Sequence, residues 1–439
     1  MGSATANAAW ADSNVGAKCM SMSFPTGSIG YTIRLGTPIP AVTLEKTSDG
    51  GKTWAPVKTT SAKNPQEAAG TALVFTDATT GFTAVGTPIA LGKTTDGGIT
   101  WTVKTVTGLA VPLNSVRRMS FATMKDGAAL VGLAPSGAGS TQVVVTHDAG
   151  ETWAAVKVPD MTTNYVNVGM ADANTLVAFA VRTVTGGEMT GVYTSHDSGA
   201  TWKKNYEAPV SQPFGTIEFL DPKNGFLSKQ CPGGASNDCV MATTDGGDTW
   251  TPTTTAYLGS ASVYTPALAW ADLKNGILGS GGDILRTTDG GKNWTKSVLP
   301  ASAVGTNWPC LAYPGPGAIA GAGLKTYLFD DAAGGGPRPP LPGGMPPGDA
   351  GIDASTPDAP TSDVAPSDAS PPDTAGVVAD AAPTDAAAPP AADTADSGGC
   401  SMSSRATSAG AELVLFSAVL LGLKRRAARS MAARRQRES

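Results

Sequence analysis

The octapeptide Thr94-Thr95-Asp96-Gly97-Gly98-Ile99-Thr100-Trp101 governs the reading of this chain, because it recurs. Thr47 to Trp54 reads TSDGGKTW, Thr146 to Trp153 reads THDAGETW and Ser195 to Trp202 reads SHDSGATW. TTDGGDTW follows from Thr243 to Trp250, and TTDGGKNW from Thr287 to Trp294. The aspartates (Asp49, Asp96, Asp148, Asp197, Asp245 and Asp289) are spaced by 47, 52, 49, 48 and 44 residues. A period in that range marks a repeat array, whose units bury their cores only against their neighbours. Each octet makes sense as a hairpin turn. The carboxylate accepts backbone N–H groups in the tight corner, the glycine supplies positive φ, and the tryptophan (Trp54, Trp101, Trp153, Trp202, Trp250 or Trp294) plugs the start of the next strand.

Outward from each octet, a second phrase precedes it by about 20 to 30 residues. Its clearest copy is Leu73-Val-Phe-Thr-Asp-Ala-Thr-Thr-Gly-Phe-Thr-Ala-Val-Gly86, two apolar runs around a turn with Asp and Gly. Such runs read as two strands of a sheet. The stretch before each octet, such as Gln142 to Thr146, reads as a third strand, and the stretch after it, such as Trp101 to Lys104, as a fourth. Six such units run from Cys19 to about Lys296, and a seventh phrase follows from Pro309 to Phe329 with a decayed octet at Asp330 to Gly334. The seventh lacks a fourth strand, so residues before Cys19, around Ala6 to Trp10, are expected to supply it and close a ring. The expected fold is all-β: a seven-bladed β-propeller of four-stranded antiparallel blades, with six or eight blades as the alternatives. Closure removes exposed sheet edges.

The pattern S/T-x-D-x-G-x-T-W resembles the Asp-box, or BNR, repeat of sialidases, sortilin-like ectodomains and photosystem II assembly factor-like proteins. That resemblance implies a propeller in which the Asp boxes are structural, with no catalytic, metal or cofactor role. In the related families ligands bind at the end of the strands opposite the boxes. There the candidate ligand face comprises Arg34, Arg117, Tyr165 and Arg182, beside the long loops Leu133 to Ser140, Val181 to Thr190 and Ser228 to Asp238. A sialidase needs three arginines to grip a carboxylate, a Tyr nucleophile with a Glu partner, and an acid/base carboxylate. Arg34, Arg117 and Arg182 map to the loop end, but no Tyr–Glu pair stands out, Glu188 and Glu218 being the nearest carboxylates. Xyloglucan-type hydrolases with Asp boxes place two propellers in tandem, whereas this chain holds one. The resemblance to the assembly factor-like proteins, over about residues 10 to 331, implies a non-enzymatic binding or scaffold module for a glycan, peptide or protein partner. A sialidase-like glycoside hydrolase is the alternative.

Composition bounds the remaining classes. Only 15% of residues are charged and the net charge is −5, so the folded part offers no basic field for nucleic acid. The two histidines, His147 and His196, sit at variable box positions and read as exposed turn residues rather than zinc ligands. Of five cysteines, Cys231 and Cys239 bracket a short loop that a disulfide would close, and Cys19 and Cys310 precede the first strands of the first and last blades. A bridge between the latter two would staple the ring's seam in an oxidising compartment.

Domain organisation is read as propeller 1–333, linker 334–398 and tail 399–439. The linker is almost wholly Ala, Pro, Asp, Gly, Ser and Thr, with ten aspartates from Asp349 to Asp396, and is expected to be a disordered, extended stalk. The tail carries Gly398-Gly-Cys-Ser-Met402, an apolar run from Ala409 to Leu423 and an arginine cluster. It resembles the myxobacterial C-terminal sorting signal MYXO-CTERM. The resemblance implies that Cys400 is the recognition and processing position for an intramembrane sorting protease, that a short transmembrane helix anchors the chain, and that the propeller is displayed at the cell surface or outer membrane. No apolar leader is visible in residues 1–19, which is then expected to be a matter of start site or truncation.

Overall fold

The computed structural model describes residues 10–12, 18–35, 41–61, 72–86, 88–135, 140–157, 165–185, 187–209, 214–229, 240–253, 267–280, 283–300, 310–315, 317–322, 325–330 and 341. Strand β1 (Trp10–Asp12) is followed by β2 (Lys18–Ser23), β3 (Gly30–Leu35), β4 (Ala41–Thr47) and β5 (Ala55–Ser61), which form a four-stranded antiparallel sheet in chain order. The same succession repeats in β6 (Leu73–Phe75), β7 (Gly81–Val85), β8 (Ala90–Thr94) and β9 (Thr102–Thr107), then in β10 (Leu113–Phe121), β11 (Gly127–Leu133), β12 (Thr141–Thr146) and β13 (Thr152–Val156). It continues through β14 (Tyr165–Met170), β15 (Leu176–Val184), β16 (Gly187–Ser195) and β17 (Lys203–Pro209), and through β18 (Phe214–Phe219), β19 (Gly225–Lys229), β20 (Val240–Thr243) and β21 (Thr251–Pro252). Next come β22 (Ala267–Trp270), β23 (Gly276–Ser280), β24 (Asp283–Thr287) and β25 (Thr295–Lys296). The last sheet holds β26 (Cys310–Ala312), β27 (Gly317–Ala322) and β28 (Lys325–Asp330), completed by β1, which pairs antiparallel to β28 with Trp10 opposite Phe329.

Each first strand packs against the first strand of the next sheet, from β2 through β6, β10, β14, β18 and β22 to β26 and back to β2. The fold is therefore an all-β propeller whose first strands line its axis. Closure comes from β1, as the incomplete seventh phrase implies; the described strand is Trp10–Asp12, and Ala6 to Ala9 of the expected stretch lie outside the described residues. Two sheets are also joined at their outer edges. Thr105 and Val106 of β9 pair in parallel with Thr152 and Trp153 of β13, giving one continuous eight-stranded sheet.

The cores lie between sheets. Leu44 and Tyr31 pack on Leu73 and Phe75, Phe82 and Leu91 on Phe121 and Val144, and Phe179 and Val192 on Phe214 and Leu227. Middle strands are covered on both faces and so read as continuous apolar runs, such as Ala128-Ala-Leu-Val131, whereas outer β9 alternates exposed and half-buried residues. Aromatic pairs span the junctions, with ring centroids 3.5 Å apart for Tyr31–Phe75 and 3.6 Å for Phe226–Trp270.

The boxes join the sheets as well as turning the chain. In the second, the Thr94 hydroxyl donates to Asp96 Oδ1 at 2.7 Å and accepts Gly98 N–H at 2.9 Å. Asp96 in turn accepts Thr100 N–H at 2.9 Å and the Thr100 hydroxyl at 2.6 Å, and Trp101 Nε1 donates to Gly98 O at 3.0 Å. Gly98 has φ +93°, and a Cβ there would lie 2.2 Å from Leu44 Cδ2 of the preceding sheet. The glycine thus serves both a left-handed turn and a close approach between blades. Trp153 departs from the pattern. It lies edge-on to Phe82 and Phe121, and its buried Nε1 has no hydrogen-bond partner.

The bridge between Cys19 and Cys310 forms, with Cα atoms 6.3 Å apart. Cys231, Cys239 and Cys400, the stalk apart from Leu341, and the tail lie outside the described residues. No helix among the described residues is long and apolar enough to cross a membrane.

Candidate functional site

The candidate site is a cavity on the propeller axis, and it exists because each first strand has an edge that faces no ladder partner. Backbone N–H groups on that edge must be satisfied otherwise. The preceding blade supplies the acceptors. Ser21 and Ser23 Oγ accept Leu73 and Phe75 N–H at 3.1 and 2.8 Å, Ser120 Oγ accepts Met170 N–H at 3.1 Å, and Glu218 Oε2 accepts Trp270 N–H at 3.2 Å. Asn167 Nδ2 donates to Gly215 O at 2.6 Å, tying the same edges from the donor side. The first strands are thereby held side by side around an open centre.

That centre is a cavity of about 310 Å³ bounded by β2, β6, β10, β18, β22 and β26. It opens at the box end, where the first turns gather. Box and first turn are bonded at one end of each blade, as in Gly50 N–H to Ser28 O (2.9 Å) and Gly97 N–H to Thr79 O (2.8 Å). The mouth is a second cavity of about 440 Å³, walled mainly by Phe121, Met170, Phe219, Leu220 and Leu273. Three first-turn aspartates, Asp172, Asp221 and Asp272, rim it. Each caps its own turn, Asp221 accepting Lys223 and Asn224 N–H at 2.8 Å. The mouth is largely apolar, and a cavity of its size can hold a small ligand or a few side chains.

Leu341 lines both cavities and packs against the cluster around Phe121. The compact unit containing the propeller runs through Asp353, so this leucine, assigned to the linker by composition, belongs to it. A signal existed in the sequence. Leu341 is a large apolar residue flanked by prolines in Pro339-Pro-Leu-Pro342, where the surrounding segment is otherwise Gly, Pro and Ala with few exceptions.

The residues singled out at the opposite end fare differently. Arg34 on β3 is fully buried, its Nε donates to Glu45 Oε2 at 2.6 Å, and its guanidinium lies 5.4 Å from the Trp54 ring centroid. Burial, the largest influence, lowers its pKa, and Glu45 opposes that. Arg34 is therefore a tie within its blade and not an accessible ligand contact. Arg117 is exposed on β10, with Nε 3.4 Å from Ser115 Oγ. Tyr165 opens β14 opposite Ala180, and Arg182 sits two residues further along β15 opposite Met189, so the backbone brings these two positions together. Their side chains lie outside the described set. Glu188 is exposed beside the β15–β16 turn, and Glu218 holds Trp270.

The box aspartates are held as anions. At Asp96 the Thr100 hydroxyl is the largest influence, followed by the Thr100 amide and the Thr94 hydroxyl, and together they lower the carboxyl to about 2. Asp197 is lowered to about 2 in the same way by Thr201 and Ser195. At Asp49 and Asp148 burial, the largest single influence, pushes upward, but the bonds from Thr53 and Thr152 prevail and hold both at about 2. Both histidines are half exposed but paired, His147 with Asp126 at 2.8 Å and His196 with Asp248 of the next blade at 3.1 Å. No cluster with metal-ligand composition occurs among the described residues.

A family model described as the DUF6242 beta propeller domain matches residues 42–219, and one described as photosynthesis system II assembly factor YCF48 matches residues 204–307. No curated protein sequence matches the chain. Among solved structures it is similar to YCF48 bound to D1 peptide, at 18% identity over 74% of this chain and 96% of that one, with a TM-score of 0.49. YCF48 from Cyanidioschyzon merolae gives 17%, 74%, 98% and 0.49 for the same quantities. The GH74 enzyme of Niastella koreensis gives 12%, 72%, 64% and 0.28. The chain is an Asp-box repeat β-propeller that resembles the photosystem II assembly factor-like proteins.

Proposed function

We propose that this chain is a seven-bladed, non-enzymatic propeller that binds a segment of a partner protein at the axial mouth. One observation carries the reading: Arg34 and Glu218, two charged side chains that glycoside chemistry could recruit, are spent on holding the ring. Arg34 is bonded to Glu45, and Glu218 to the backbone of Trp270. The concave surface left over is walled by Phe121, Met170, Phe219, Leu220 and Leu273. Apolar walls with fixed backbone favour side chains of a peptide over the hydroxyl-rich face of a sugar. The partial match to the assembly-factor family is consistent with such a role.

Display outside the cytoplasm, on the 334–398 stalk with sorting at Cys400, is part of the same proposal. The Cys19–Cys310 bridge supports it, since such bridges persist in oxidising compartments. Protease treatment of intact cells should release the propeller, and protection from it would refute the display.

The binding claim is tested by screening the full chain on peptide and glycan arrays beside a fluorogenic sialoside assay. Peptide hits abolished by Leu273→Asp at the mouth support it. Turnover of the sialoside that disappears in both Arg117→Ala and Arg182→Ala would replace it with hydrolase chemistry.

A further inference from the structure

We propose that the axial mouth is a receptor for a proline-flanked leucine, and that the chain's own Leu341 occupies it, latching the start of the stalk onto the propeller. The inference rests on the reading of the mouth as a peptide pocket and names both its ligand class and its resident occupant.

Three observations converge. Leu341 is seated where the mouth meets the axial cavity and touches the cluster around Phe121, whose ring stacks on Phe82 at 4.7 Å. The chain is delivered to that place, because β28 is a third strand and third strands end at the box end of the propeller. Asp330 closes β28, and Leu341 lies eleven residues beyond it, a length of chain that can reach at most about 35 Å. The sequence around the leucine suits a receptor of this kind. Pro339, Pro340 and Pro342 restrict the unbound chain to extended conformations, so little conformational entropy is lost when the leucine is seated. Arg338 precedes it by three residues, and the rim carries Asp172, Asp221 and Asp272. The rim charge and the basic residue are thus of opposite sign.

A leucine tethered at this range has an effective concentration on the order of millimolar. It would therefore exclude weak competitors while yielding to a partner that presents a better-fitting segment. The stalk would then be shorter by the latched residues when the pocket is self-occupied and longer when a partner displaces them.

Two measurements on the full chain test the proposal. First, a photoreactive residue is placed by Leu341→p-benzoylphenylalanine. Crosslinks to Phe121, Met170 or residues 219–222 of the same chain are expected, and crosslinks outside the mouth and axial cavity, or none, would overturn the latch. Second, a labelled synthetic peptide of residues 336–346 is titrated into the wild type and Leu341→Asp. The variant should bind at least about tenfold more tightly, because its own segment no longer competes. Equal binding to both proteins, or no binding to the variant at about 1 mM peptide, would refute the receptor. The crosslink outcome does not depend on any partner, so a latch can be established even if the array screen finds no ligand.

Discussion

Cys19 and Cys310 join two strands 291 residues apart in sequence, at the one junction where, among the described residues, no shared apolar cluster links neighbouring sheets. Elsewhere consecutive blades share cores of five or more buried residues, such as Val168 and Met170 with Leu130 and Val143. The bridge stands in for that packing. It constrains nearly the whole unfolded propeller as one loop, so removing it should cost about 3–5 kcal/mol. Denaturant unfolding of Cys19→Ser/Cys310→Ser is expected to show that loss. The reduced wild type should match it, and a change below about 1 kcal/mol in both would mean that the β1–β28 pairing suffices.

Ala149 and Ser198 occupy the box position that is glycine in the other four boxes, at φ 59° and 56°. A left-handed backbone costs an L-residue with Cβ about 1–2 kcal/mol. Ala149→Gly should therefore stabilise the protein by about 1 kcal/mol, read as a rise in Tm. Ser198→Gly should gain less, because the single Ser198 hydroxyl donor lies 3.2 Å from both Ala173 O and Asn174 Oδ1, and glycine loses that bond.

The boxes were legible because the bonds that shape the turn itself are local. Thr94, Asp96, Gly98, Thr100 and Trp101 satisfy one another within eight residues, so the pattern survives in the sequence intact. Closure by a terminal strand could be read from the missing fourth strand after Phe329, and the seam bridge from the positions of Cys19 and Cys310. What stayed hidden depends on register between distant segments. Arg34 looks like a surface arginine until β3 is laid against β4, which brings Glu45 beside it. The axial cavity is assembled from six strands spread over some 290 residues, and Leu341 is masked by the composition around it. Trp153 loses its bond to the box because β13 begins early to pair with β9, an outer-edge contact with no signature in either strand.

Acid should weaken the boxes together. Asp96, Asp197, Asp49 and Asp148 are held at about 2, below the usual aspartate value near 3.9. A folded pKa that is depressed contributes stability present above the unfolded value and lost as pH falls through the folded one. The window is therefore about pH 4 to 2. Tm should be flat above pH 5 and fall steeply below 4, and Asp96→Asn should show a shallower fall.

Asn293 shows what the threonine of the box contributes. Its side-chain amide donates to Asp289 Oδ2 at 2.7 Å, the bond that the hydroxyl makes elsewhere. Thr100→Asn should thus stay within about 0.5 kcal/mol of the wild type. Thr100→Val keeps shape but removes the donor to a charged acceptor, and should lower stability in denaturant unfolding where Thr100→Asn does not.

Arg34 and Arg117 were candidates for the same ligand face, and the structure separates them by environment. Arg34→Ala removes one partner of a buried pair, leaves Glu45 without its cation and opens space beneath Trp54, so a loss of about 3–5 kcal/mol is expected. Arg117 is exposed and, among the described residues, its side chain holds only a long bond to Ser115, so Arg117→Ala should change stability by less than about 0.5 kcal/mol. Any binding or turnover deficit in Arg34→Ala would then report unfolding and not recognition, which Tm measured on the same preparation distinguishes. An Arg34→Ala protein as stable as the wild type would return this residue to the accessible face.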